Sequence, residues 1–138
     1  MELTRRQMLV TSTAALASVA GLPAFASATD DLIAELTGGA SLGSGAISLD
    51  TPEIAENGNT VPVSVTADGA KSITLYADGN PVPNVATFNF GPLNPTRSAA
   101  TRIRLAQTQN VVAIAQMEDG SWQMAKNEVK VTIGGCGG

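Results

Sequence analysis

Residues 61–68 read VPVSVTAD, and residues 71–78 read KSITLYAD. Val61, Val63 and Val65 alternate with other residues in the first, as Ile73 and Leu75 do in the second. Side chains along a strand point to opposite faces in turn, so an apolar residue at every second position marks a strand with one buried face. Similar short runs follow in VATFNF (85–90), ATRIRLAQ (100–107), NVVAIAQM (110–117), SWQMA (121–125) and EVKVTI (128–133). In the last, Val129, Val131 and Ile133 point one way. Turn-forming clusters separate the runs: ENGN (56–59), ADGNP (77–81), GPLNP (91–95) and EDGS (118–121). Short strands at this spacing predict an all-β antiparallel sandwich, with EDG (118–120) as a tight hairpin turn.

Working outward from the strands, ATDDLIAELTGG (28–39) predicts a short helix. Thr29 or Asp30 can cap it, Asp30 and Asp31 suit its positive N-terminus, and Gly38 suits its exit. Leu32, Ile33 and Leu36 would form one apolar stripe, which needs something larger to dock on. GGASLGSG (38–45) reads as a flexible loop or linker.

The first residues read as a processing segment. Arg5 and Arg6 form a charged start, a mild apolar stretch follows, and small residues close it at Ala24-Phe25-Ala26 or Ala26-Ser27-Ala28. That is the layout of a cleaved export signal. Thr, Ser and Pro23 interrupt the apolar stretch and make it a poor membrane span. Thr4-Arg5-Arg6-Gln7-Met8-Leu9 resembles a twin-arginine signal, although Met8 and Val10 replace the usual Phe and Lys. The expected organisation is a signal over 1–26 (ending as late as 28), a helix and linker over 27–45, a sandwich over 46–133 and an arm over 134–138.

The chain has 138 residues, enough for one domain, and a net charge of −4 that gives no electrostatic case for nucleic acid. It has no histidine, the commonest metal ligand and the usual general base. No Ser-His arrangement, metal cluster or phosphate loop can be assembled, so neither a catalytic residue nor a cofactor is expected. Glu53 and Glu56 in PEIAENG (52–58) read as a solvated loop entering a strand rather than as an acid/base pair. Trp122 and Tyr76 suit a core or a partner interface.

The chemistry concentrates in GGCGG (134–138). Cys136 is the only cysteine, so no disulfide within the chain is possible. Flanked by Gly134, Gly135, Gly137 and Gly138, it has nothing to bury it. A lone thiol on an exported protein points to intermolecular pairing or to a reactive group. Glycine makes a thin, flexible tether that fits narrow channels. The nearest cation upstream in sequence is Lys130, and the terminal carboxylate disfavours thiolate, so activation must come from partner enzymes.

The GGCGG end after VKVTIG resembles the SoxY family, the covalent sulfur-carrier subunit of bacterial thiosulfate oxidation. PEIAENGNTVPVSV, NPVPNVATFNF, TRIRLAQTQNVVAIAQMEDG and the twin-arginine-like start support the resemblance. It implies an immunoglobulin-like β-sandwich in the periplasm, paired with a SoxZ subunit. It implies that a haem protein, SoxAX, joins thiosulfate oxidatively to Cys136 and that a hydrolase, SoxB, releases sulfate. SoxCD, where present, oxidises the remaining persulfide. The chain itself would be a carrier of thiosulfate-derived adducts and not an enzyme, free of the membrane after signal cleavage. Two other readings of the same residues are an exported module using Cys136 for an interchain disulfide and a ubiquitin-like carrier with a thiocarboxylate on Gly138. The first leaves the four glycines without a reason. The second needs cytoplasmic activation and a mid-chain helix, against the export signal and the strand pattern.

Val61, Val63, Val65, Ile73, Leu75, Val111, Ile114 and Trp122 offer more apolar positions than one small core obviously needs. They predict an apolar sheet face or edge left for a partner to cover.

Overall fold

The computed structural model describes residues 24–132, with side chains from residue 28 onward. Arg5, Arg6, Gly134, Gly135, Cys136, Gly137 and Gly138 lie outside the described residues, as does Ile133. Helix α1 (Ala24–Thr37) precedes nine strands. They are β1 (Leu42–Gly43), β2 (Ser48–Asp50), β3 (Ile54–Ala55), β4 (Val61–Thr66) and β5 (Ala70–Ala77), then β6 (Asn84–Asn89), β7 (Ser98–Ile103), β8 (Gln109–Met117) and β9 (Trp122–Val131).

One sheet runs β1-β9-β8-β5-β6 with β3 also on β9, and the other runs β2-β4-β7. The expected all-β sandwich with a short N-terminal helix is the architecture found. Val61, Val63 and Val65 of β4 face Ile73, Leu75 and Ala77 of β5, Val111 and Ala113 of β8, and Val129 of β9 in a single core between the sheets. Burying an aliphatic side chain of this size contributes about 1.5–3 kcal/mol. Alternation holds on β4, but β8 is buried continuously from Val111 to Ala115. Its even residues belong to a second cluster of Tyr76, Val112 and Ile114 on the sheet's other side, under Leu32 and Ile33 of α1 and beside Leu42, Trp122 and Met124. Sheet strands covered on both faces lose the two-residue period.

The EDGS hairpin forms as expected, with Gly120 at φ +88°. Asp119 accepts bonds from the Ser121 amide (2.8 Å) and hydroxyl (2.6 Å), and these hold its carboxyl below the usual range.

The structure corrects several expectations. The helix starts at Ala24, so Thr29 and Asp30 lie inside it rather than capping it, and Thr29 is buried. Alanines at 24, 26 and 28 favour helix on both sides of the expected cleavage point. Gly38 does end the helix, at φ +66°. Leu36 leaves the apolar stripe and is exposed, while Leu32 and Ile33 make the docking contact. The expected linker contains β1, parallel to β9, and β2 and β3 add strands that the run-by-run reading missed. Trp122–Ala125 of SWQMA and Glu128–Val131 of EVKVTI lie on one strand, because Lys126 and Asn127 continue the ladder opposite Val112 and Val111.

The apolar excess argued for a partner is also corrected. Six of those eight residues fill the inter-sheet core, Ile114 lies in the cluster covered by α1, and Trp122 packs at that cluster's margin. The residues that remain exposed are others: Leu36, Ile54, Val82 and Leu93.

Burial, and secondarily the Glu35 carboxylate, push the Tyr76 phenol above its usual range. Tyr76 is the only tyrosine, so its ionisation reports whether α1 is docked. The variant Ile33→Asp should undock the helix and bring Tyr76 back toward ordinary phenol titration, read by tyrosinate absorbance. An unchanged titration would show that α1 does not provide the cover.

Candidate functional site: the root of the arm

In sequence the GGCGG segment follows the end of β9, and hydrogen bonds from three consecutive amides, Lys130, Val131 and Thr132, fix that end. Lys130 N–H donates to the Glu53 carbonyl at 2.9 Å, and Thr132 N–H donates to the Ala55 carbonyl at 3.1 Å. Val131 N–H, on the strand's other side, donates to Thr108 Oγ1 at 2.9 Å. Within the segment read as a solvated loop entering a strand, Ile54 and Ala55 form a two-residue parallel strand, Ile54 opposite Lys130 and Ala55 opposite Val131. Glu53 and Glu56 are exposed on either side of it.

β9 needs this arrangement because its outer edge is shared. β1 pairs with its first residues and β3 with its last, while β2 crosses to the opposite sheet between them. In the gap the Asn127 side chain donates to the Leu49 carbonyl at 2.8 Å and approaches Thr51 Oγ1 at 3.3 Å. An edge left without a ladder is satisfied by a side-chain amide.

Loops of the same end brace the root. Asn80 donates to the Arg104 carbonyl at 2.8 Å and accepts from Ala106 N–H at 2.9 Å and Gln109 Nε2 at 2.8 Å. Gln109 is buried and accepts from Gly79 N–H at 2.8 Å. Asp78 accepts two bonds from Asn110, at 2.9 and 3.0 Å. Leu105 N–H reaches the Gly58 carbonyl at 2.8 Å, tying the loop after β7 to the one after β3. A polar network with its partners present holds one geometry.

Around β3 the surface is open. Ile54 is 56% exposed and stands between two shallow recesses. One is lined by Glu53, Ile54, Glu128 and Lys130, the other by Pro52, Ala55, Glu56, Asn57, Thr60 and Pro62 with Ile54. Among the described residues no group of three His, Cys, Asp or Glu could hold a metal, and no helix is long and apolar enough to cross a membrane.

The model of the family described as sulfur oxidation protein SoxY matches residues 33–136, from within α1 to the arm cysteine. The chain belongs to the SoxY family. Among solved structures, it is similar to the sulfur carrier protein SoxY from Chlorobium limicola f thiosulfatophilum, at 38% identity and TM-score 0.68, over 78% of this chain and 96% of that one. A superoxide reductase (neelaredoxin) from Ignicoccus hospitalis is similar in fold, at 18% identity and TM-score 0.56, over 63% of this chain and 80% of that one. Protein PH1083 from Pyrococcus horikoshii OT3 is similar in fold too, at 14% identity and TM-score 0.53, over 70% of this chain and 98% of that one. No curated protein matches the chain.

The SoxY-like sequence signal covered PEIAENG and the arm, but the brace was missed. Thr108, Asn80 and Gln109 act through contacts between residues far apart in the chain, and nothing in their local pattern announces it. Gly79 is the exception, as the glycine of a turn cluster. A Cβ there would lie 2.8 Å from Gln109 Cβ and 3.0 Å from Gln107 Nε2. Because Gln109 Cβ is fixed to its backbone, Gly79→Ala should cost about 1–3 kcal/mol, the range of other overpacked sites. Denaturant unfolding checks it; wild-type stability would show that the loops move apart freely.

Proposed function

We propose that this chain is a periplasmic sulfur carrier of thiosulfate oxidation, holding its cargo covalently on Cys136. The observation that carries the reading is the family match, which runs through the sandwich and reaches Cys136. The pinned end of β9 supports it. A carrier needs a fixed point from which a thin arm starts, and the root supplies one immediately before the glycines.

The chemistry divides between this chain and its partners. Loading joins the Cys136 sulfur to the outer sulfur of thiosulfate; the thiol proton is released, and a SoxAX-like oxidase would take up the two electrons. A SoxB-like hydrolase then adds water across the bond to the sulfonate sulfur. Sulfate and a proton leave, and a persulfide remains on Cys136. A SoxCD-like enzyme takes six electrons from the outer sulfur, with three waters supplying oxygen, and a second hydrolysis restores the thiol. Cys136 supplies the sulfur that holds the cargo throughout and leaves as the thiol only in the last hydrolysis, and the glycines supply the passage. Glycine lacks the side chain that would widen the arm inside a channel. The resident partner is a SoxZ-like subunit, and export follows the twin-arginine route set by Arg5 and Arg6.

Cys136→Ser should abolish thiosulfate-dependent sulfate release in a reconstituted system while leaving thermal unfolding unchanged, because a hydroxyl cannot form the sulfur–sulfur bond. Undiminished sulfate release by the serine variant would refute the carrier reading.

A further inference from the structure

We infer that the surface centred on Ile54, beside the root of the arm, is a docking face for the enzymes that act on Cys136, and that it fits an apolar recess rimmed by lysine or arginine. The inference rests on the carrier reading above and adds to it a contact outside the arm.

Arm length carries the first part of the argument. Thr132 is the last described residue of the root, and Cys136 follows four residues later. At roughly 3.3–3.6 Å per extended residue, the thiol reaches about 14 Å beyond Thr132 at most. A catalytic centre buried inside an enzyme uses most of that length, so its channel mouth must close onto the root itself. β3 is hydrogen-bonded to that root, and neighbouring strands stand about 4.8 Å apart. Ile54, opposite Lys130, therefore lies one strand away from the root that the mouth of such a channel meets.

What stands there is suited to contact. Ile54 is one of the few large apolar side chains left exposed among the described residues, and it forms a ridge between two recesses. The inter-sheet core has no use for it. Interface anchors are side chains that fill well-packed, fully desolvated pockets, and an exposed apolar ridge is shaped to enter one.

Charge carries the second part. Glu53, Glu56 and Glu128 surround Ile54, with Lys130 as the one cation lining either recess. An enzyme that binds a thiol bearing a sulfonate group must itself offer cations near its channel. The same cations would meet these carboxylates on approach. Complementary rims of this kind act chiefly on the association rate and weaken with salt.

The test uses the full mature chain with its SoxZ-like subunit, loaded with thiosulfate, and a SoxB-like hydrolase as probe. Sulfate release is followed against carrier concentration. Ile54→Ser should raise the half-saturating carrier concentration about ten-fold, the effect of losing one interface anchor. The maximal rate should stay near wild type, as should the reaction of the unloaded Cys136 thiol with a small disulfide reagent. The exposed double variant Glu53→Gln/Glu128→Gln should flatten the dependence of turnover on ionic strength, a readout that does not depend on replacing Ile54. Unchanged half-saturation for Ile54→Ser together with an unchanged salt dependence for the double variant would overturn the docking face. So would loss of the SoxZ-like subunit from the Ile54→Ser chain, which would assign this face to the permanent partner. A wild-type chain that never loads would instead overturn the carrier reading, and the docking face with it.

Discussion

Everything this chain can do with Cys136 depends on where β9 stops. Three successive amides at its end are bound on both sides of the strand, to Glu53, Thr108 and Ala55. Each such bond contributes only about 0.5–1.5 kcal/mol net. Together they hold the strand straight up to Thr132, beyond which the sequence passes within two residues to glycine.

The rest of the fold serves that strand. β8 carries β9 along its length, and β8 is itself buried on both faces, by the inter-sheet core on one side and the α1 cluster on the other. The far end of the sandwich is tied more loosely. Arg97 there bonds the Gly91 carbonyl at 2.8 Å, lies 5.9 Å from the centre of the Phe90 ring and pairs with Glu118 at 3.1 Å. Glu118 is mostly exposed, and such a pair contributes little. The amide network of half-buried Asn80 and buried Gln109 sits instead at the end of the sandwich where β9 stops.

The strands that alternate were legible in the sequence, because a sheet with one dry face writes a period of two into it. β4 shows this with Val61, Val63 and Val65. The shortest elements were not legible. β3 offers two residues, Ile54 and Ala55, too few for any period, and its place is fixed only by its partner more than seventy positions later. β1 is hidden in a glycine-rich stretch that reads as a linker. The helix start was not legible for another reason: the small residues that mark the end of an export signal are alanines, which also favour helix. For the site, Cys136 and its glycines stood out by composition. The surface beside them did not, since an exposed isoleucine among carboxylates carries meaning only once the strand pairing places it at the root.

The central claim is that Cys136 carries the sulfur. Intact-mass spectrometry of the purified chain, taken after one round of enzymatic loading with thiosulfate and followed by fragmentation, tests it most directly. The account predicts a thiosulfate adduct that maps to Cys136, is removed by reductant, and turns into a persulfide when a SoxB-like hydrolase is added. An adduct on Gly138, or only a disulfide-linked dimer with no bound sulfur, would contradict it.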